Sequence, residues 1–253
     1  MRPDRTASGT YAEHISRRCN VLDLGLTDYG KCLEVQRKLL VMRQNSEICD
    51  SLILTEHNPV ITFGRGYRDA LPDLPVPVFQ IERGGEGTYH CPGQLVAYPI
   101  LNIYENGTGI RTLVSRVMGA AVSALRRLGI ESEGRFDPVG VWVGGKKIAS
   151  LGIAVKRWVT FHGIAINLNN ELDGFEYINP CGMSASTMTS AKRILGKRVD
   201  FDEFRHDFVS AFMESFDFDA ERTTLGSISG GADSAHGATA QGSLLRSADR
   251  RKT

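Results

Sequence analysis

Cys181 stands between a proline and a glycine in Asn179-Pro180-Cys181-Gly182-Met183, a turn-forming setting outside regular structure. A thiol in such a turn can be reached by a substrate and, as thiolate, can attack it, whereas a structural cysteine more often sits among apolar neighbours on a strand or helix. Lys146 and Lys147 follow the pair Gly144-Gly145 at the head of an apolar strand. Neighbours on a pleated strand face opposite sides, so one ammonium group is solvated and the other points to the packed or cleft face, where it can act as a base or stabilise a thiolate. The alternative is two solvated hairpin lysines. The third feature is Arg83-Gly84-Gly85-Glu86-Gly87-Thr88-Tyr89-His90-Cys91-Pro92-Gly93-Gln94, four glycines and a proline in twelve residues. So little side chain shields this backbone that its amides can approach a ligand closely, unless it is an ordinary tight connection. It is neither a P-loop nor a dinucleotide fingerprint, because no Gly-Lys-Ser/Thr follows and no helix opens from it. His90 and His162 can be paired with Cys181 as base and nucleophile, or with Cys91 as metal ligands. Spacing favours neither, and without a compact His/Cys array no metal is expected. His162 is equally read as a hydrogen-bonded strand residue.

The elements that must position these groups are legible from periodicity. Branched-residue runs predict strands over Leu52–Thr55, Val60–Phe63, Val78–Glu82, Leu95–Leu101, Val139–Val143, Ile148–Val155 and Trp158–Leu168. Val143-Gly144-Gly145-Lys146 reads as a tight hairpin turn. Leu113, Val117, Ala120, Ala124 and Leu128, with Gly129 as a stop, predict a helix over 111–128. A second helix opens at Asp200, whose spacing to Glu203 is that of a capping box, with an inward stripe of Phe201, Phe204, Phe208, Ala211 and Ser215. A third runs from Thr27 to about Arg43. Hairpin-joined strands with interspersed helices imply an α+β architecture, a mostly antiparallel mixed sheet with packed helices. Residues 19–222 are expected to form the folded unit, flanked by flexible segments at 1–18 and 223–253, the latter dominated by Gly, Ser, Ala and charged residues.

Composition excludes several function classes. With 42% apolar and 23% charged residues in 253, the chain has the make-up of a globular domain and not of a fibrous or wholly disordered one. A net charge of +1 argues against a general nucleic-acid binder. No apolar run approaches the roughly 18 to 20 residues of a membrane span, and the first residues lack the apolar stretch of a secretory signal. Five cysteines without a CxxC pair disfavour a disulfide framework, so a reducing, cytoplasmic setting is expected.

Taken in order, five blocks go further. Glu56-His57-Asn58-Pro59-Val60-Ile61-Thr62-Phe63-Gly64-Arg65, then Arg83 to Tyr98, Lys147-Ile148-Ala149-Ser150-Leu151-Gly152, His162-Gly163-Ile164-Ala165-Ile166-Asn167 and Pro180-Cys181-Gly182 closely resemble the lipoyl(octanoyl) transferase family across residues 19 to 215. The resemblance implies the biotin/lipoate protein ligase fold. It implies transfer of octanoate from the thioester of acyl carrier protein to a lysine of lipoyl domains, those of 2-oxoacid dehydrogenase E2 subunits and of the glycine cleavage H protein. By the same resemblance Cys181 is the acyl-carrying nucleophile and Lys147, not Lys146, the catalytic lysine. Arg83, Gly84, Gly85, Glu86, Gly87, Thr88, Tyr89 and His90, Ser150, Leu151 and Gly152, and Gly163, Ile164 and Ala165 line the acyl site. Neither ATP nor a metal is implied, and the enzyme is expected to be monomeric, binding no nucleic acid or membrane. Two positions depart from the family pattern: Cys91, where glycine is usual, and Gly87, where an aliphatic residue is usual. An extra side chain at Cys91 is expected to narrow the site. The competing readings are an ATP-dependent lipoate or biotin ligase and a non-catalytic acyl-binding protein on the same fold.

Overall fold

Two strands of the chain, β6 (Gln94–Ile100) and β10 (Val159–Asn167), are buried at every residue, so each must be covered on both faces. In the computed structural model, which describes residues 17–178 and 184–228, they lie side by side near the middle of an eight-stranded sheet. Its remaining strands are β1 (Arg17–Thr27), β2 (Asp50–His57), β7 (Glu133–Phe136), β8 (Val139–Val143), β9 (Lys146–Lys156) and β11 (Phe218–Arg222), in the order β11-β1-β2-β6-β10-β9-β8-β7. Only the β11–β1 and β1–β2 ladders are parallel; the other five are antiparallel. A smaller sheet, β4-β3-β5, is built from β3 (Val60–Phe63), β4 (Val78–Gln80) and β5 (Gly87–His90). The expected α+β class and mostly antiparallel mixed sheet are what the chain adopts.

Strand alternation divides the core. Leu52 and Leu54 of β2, Leu95 and Ala97 of β6, and Ile164 and Ile166 of β10 face one side. There they pack on helices α2 (Ile110–Arg127) and α4 (Phe201–Phe216). Ile53, Val96, Tyr98, Phe161 and Ala165 face the other, against helix α1 (Tyr29–Gln44). Helix α4 opens on Asp200, whose carboxylate accepts from the amides of Asp202 and Glu203. Its buried stripe is Phe204, Phe208, Ala211, Phe212, Met213 and Phe216, with Phe201 and Ser215 only half-buried. Among the described residues no helix is long and apolar enough to cross a membrane.

Several elements differ from expectation. Strands β1, β7 and β11 and the short helix α3 (Ala191–Leu195) were not predicted, and Thr27 ends a strand instead of opening a helix. Part of the glycine-rich stretch is itself strand, β5. Residues 223–228, assigned from composition to a flexible end, are packed: the Thr223 amide donates to the Val21 carbonyl and Ile228 is buried beside α1. Residues 1–16 and 229–253 lie outside the described residues.

One buried charge cluster fixes α1 to the sheet. Asp50 accepts from Arg43 Nε at 2.7 Å, from Asn106 Nδ2 at 2.7 Å and from the Asn102 amide at 2.9 Å. Arg43 also binds Glu105, at the surface. Asp50→Ala would leave a buried guanidinium short of its partner, and the expected loss is about 3–5 kcal/mol in a denaturant titration. Glu105→Ala, losing a half-exposed carboxylate, should cost less than about 1 kcal/mol. Equal costs would show that Asp50 is not what holds this corner.

Candidate active site

Where the small sheet meets β6, β9 and β10, a narrow cavity of about 30 Å³ opens. Alternation on β5 sends Thr88 and His90 into it. Ser150, Leu151 and Gly152 come from β9, and His162, Gly163, Ile164 and Ala165 from β10. Arg83 and Gly85 reach it from the loop before β5. Two glycines make this crossing geometrically feasible. Gly152 and Gly163 are ladder partners; a Cβ on Gly152 would stand 2.8 Å from the Gly84 carbonyl oxygen, and one on Gly163 would run into the Ala97 carbonyl. Only without those side chains can the Arg83–Gly85 loop lie on β9 and β6 lie beside β10.

Ten of the residues expected to line an acyl site therefore do line one cavity. Gly84, Glu86, Gly87 and Tyr89 do not. Tyr89 points the other way from β5 into a core of Ile61, Phe63, Phe175 and Ile178, and Glu86 and Gly87 border a separate groove beside Tyr67, Tyr177 and Ile178. The Gly87 departure is explained there: a Cβ would meet Phe63 at 3.0 Å and Ile178 at 3.4 Å, so these two side chains occupy the space an aliphatic residue would take. Cys91 does not narrow the cavity. It is buried in the same apolar core with its thiol towards the Glu171 carbonyl, and burial pushes that thiol up to about 11. Sequence reasoning missed Tyr29, Ile81, Val96 and Tyr98 as cavity walls. Alternation along β6 would have paired Val96 with Tyr98; Tyr29 comes from a helix distant in sequence, for which there was no local signal.

The buried histidines in and behind the lining are kept neutral. His57 takes a hydrogen bond from the Tyr98 hydroxyl at Nε2, 2.8 Å, and donates from Nδ1 to the Thr27 carbonyl, 3.0 Å. Burial lowers its pKa to about 4. His90 donates from Nδ1 to Gln94 Oε1 at 2.7 Å, and burial, aided by His57, lowers it to about 3. Gln94 donates in turn to Asn167 Oδ1 at 2.9 Å, and Asn167 to the Thr189 carbonyl at 3.0 Å. His162 occupies a left-handed backbone conformation, φ 57°, with its amide held by Gln36 Oε1. Its Nε2 lies 3.6 Å from Glu82, and burial takes it to about 4. Its ring nitrogens make no hydrogen bond among the described residues, contrary to the reading of a bonded strand histidine.

Lys146 and Lys147 separate as alternation requires: Lys146 is exposed and Lys147 only 1% exposed. The Gly144-Gly145 turn, both residues at positive φ, closes the β8–β9 hairpin. The ladder then steps from Trp142↔Lys147 to Val141↔Ala149, so Ile148 is the extra residue of a β-bulge, a device that re-aims neighbouring side chains. Lys147 is not a wall of the cavity; Ser150, on the same strand, is. Its backbone does meet residues 188 and 189, through a bridge to Met188 and a hydrogen bond from the Thr189 amide at 3.0 Å. Residues 179–183, with Cys181, lie outside the described residues; on their two sides Ile178 and Met188 belong to one buried cluster. Among the described residues no group of three His, Cys, Asp or Glu side chains converges as a metal site.

Comparison with known proteins agrees with this geometry. An octanoyltransferase of Syntrophobacter fumaroxidans is 40% identical over 220 residues, covering 84% of this chain and 96% of its own. One of Pseudomonas entomophila is 38% identical over 215, covering 84% and 97%. Among solved structures, a lipoate-protein ligase A bound with ATP superposes with a TM-score of 0.63 at 16% identity, covering 87% of this chain and 94% of its own. A putative lipoate protein ligase from T. acidophilum gives 0.61 at 16%, covering 87% and 93%, and at that identity both speak for the fold alone. The family described as the lipoyl protein ligase A/B catalytic domain matches residues 28–213, and the chain belongs to that family.

Proposed function

We propose that this protein is an acyltransferase that moves an octanoyl group from octanoyl-acyl carrier protein to a lysine of a lipoyl domain in the cytoplasm, through a thioester on Cys181. The observation that carries the reading is similarity, at 40% identity over 81–84% of the chain, to octanoyltransferases. The seclusion of Lys147, with its backbone bridged to Met188, supports its chemistry. A free thiol has a pKa of about 8.5 and is only slightly ionised at neutral pH, so a nearby ammonium is what makes it a nucleophile. In the first half-reaction the thiol proton passes to Lys147, the thiolate attacks the carrier thioester, and the departing carrier sulfur takes that proton back. In the second, the neutral lysine amine of the lipoyl domain attacks octanoyl-Cys181 and gives its proton to Lys147, which returns it to the leaving cysteine sulfur. The acyl group enters already activated and ends as an amide, so the balance needs no nucleotide and no metal.

An eight-carbon tail suits a narrow cavity, since each methylene removed from water contributes about 0.8 kcal/mol. Leu151, Ile164, Ala165 and Val96 in the walls support such an occupant, with His90 and His57 kept uncharged.

Incubation with octanoyl-carrier protein and an apo lipoyl domain, without ATP, should yield octanoylated domain. Product only from free octanoate with ATP would favour the ligase reading instead. Cys181→Ser should lower transfer by more than about a thousandfold and remove a hydroxylamine-sensitive adduct from the intact mass; unchanged transfer would favour a non-covalent route. Lys147→Ala should lower transfer by about a hundredfold or more and slow Cys181 alkylation near neutral pH, with Lys146→Ala near wild type. Equal effects from the two lysines would reverse the assignment.

The neutral histidines give a pH signature. Unfolded, His57 and His90 protonate near pH 6.5, whereas the fold holds them neutral down to about 4 and about 3. The stability they allow is therefore full above pH 6.5 and falls as pH drops towards 4, each site adding a slope of about 1.4 kcal/mol per pH unit. Denaturant titrations at pH 7, 6 and 5 should show His57→Gln losing about that much of the slope, and parallel curves for variant and wild type would contradict it.

A further inference from the structure

Burying Lys147 raises a question that its assigned chemistry leaves open, namely what keeps an amine charged in a setting almost stripped of water. Desolvation disfavours the cation, so a group must favour it from inside the protein. Trp142 is its ladder partner on β8, and Lys147 Nζ lies 5.1 Å from the centre of the indole, within the range at which a ring face attracts a cation. The ring is fixed: Trp142 is 4% exposed and its Nε1 donates to the Pro138 carbonyl at 3.1 Å. The lysine stem is guided as well. It passes over Gly140, where a Cβ would stand 3.1 Å from Lys147 Cε and 3.4 Å from its Cδ, so a side chain there would push the stem aside. A second cation, Arg135, lies over the same ring at 5.1 Å, but it is bound to Glu133 on its own strand, which answers its charge. Glu133 and Arg135 are both part-exposed, and they cover the indole at the sheet edge.

We infer that Trp142 is a positioning residue for the transfer reaction: its indole face holds the Lys147 side chain and favours its ammonium form, so that the charge presented to Cys181 is set by the aromatic ring. This rests on the proposed pairing of Lys147 with Cys181, and the test separates the two. Trp142 and Trp158 are the chain's two tryptophans, and Trp158 is 60% exposed in the β9–β10 turn. In a Trp158→Phe background, position 142 can be replaced by mono-, di- and trifluorinated tryptophan, which drains charge from the ring face while keeping its shape. The readout is the rate of Cys181 alkylation by iodoacetamide as a function of pH, with thermal midpoint recorded beside it. The rate near neutral pH should fall stepwise with fluorine number, reaching about tenfold, and the inflection should move to higher pH. Trp142→Phe, which keeps a weaker ring, should fall between wild type and Trp142→Leu. A profile indifferent to fluorination, while Lys147→Ala still displaces it, would overturn the role of Trp142 and leave the Cys181–Lys147 reading standing. If Lys147→Ala leaves the profile unmoved, both fall together.

Discussion

An amine enclosed to 1% exposure is the constraint around which this molecule is arranged. Nothing about a surface hairpin lysine demands a particular neighbourhood, but a buried one does, because water no longer carries its charge. The hairpin turn, the bulge at Ile148, the ring of Trp142 and the absent side chain of Gly140 all act on that single stem. The same strand segment also receives Met188 and Thr189, the Thr189 amide donating to the Lys147 carbonyl.

The cavity is governed by the opposite requirement. His90 in its wall and His57 behind it are buried and paired, each with one nitrogen donating to a carbonyl or amide oxygen, and burial holds both neutral. The Gln94–Asn167–Thr189 chain runs from His90 to the residue whose amide bonds the Lys147 carbonyl. A polar network of this kind specifies geometry more than it adds stability, since each member exchanges bonds with water for bonds within the protein. It ties the glycine-rich strand, β10 and the hairpin into one unit.

Much of this was legible before any coordinates. Alternation offered the separation of Lys146 and Lys147 against the alternative of two solvated hairpin lysines, and the paired glycines marked a two-residue turn. What alternation did not reveal was the bulge, because an inserted residue changes register without changing composition. The same blindness made Gly84, Glu86, Gly87 and Tyr89 look equivalent to Arg83, Thr88 and His90: a stretch rich in glycine reads as a loop, and only its pairing with β3 shows that Thr88 and His90 share a face while Gly87 and Tyr89 take the other. Strands β1 and β11 escaped because both lie near the sheet edge with several polar positions exposed, so their pattern is partial. Ile228 escaped because a single aliphatic residue among glycines and serines carries no period.

The two departures from the family pattern show how strand geometry absorbs change. Cys91 and Gly87 fall in the stretch most concerned with the cavity, yet both belong to its far side, where Phe63, Ile178 and Phe175 form a separate apolar core. A methylene and a sulfur gained at Cys91 and an aliphatic side chain lost at Gly87 thus fall within one packed layer outside the cavity. The cavity walls supplied by β9 and β10 tolerate no such exchange, because facing glycines leave no volume to trade: any Cβ at Gly152 or Gly163 meets backbone, which cannot turn aside as a side chain can. Variation is therefore expected to collect behind β5 and to be refused at the β9–β10 ladder.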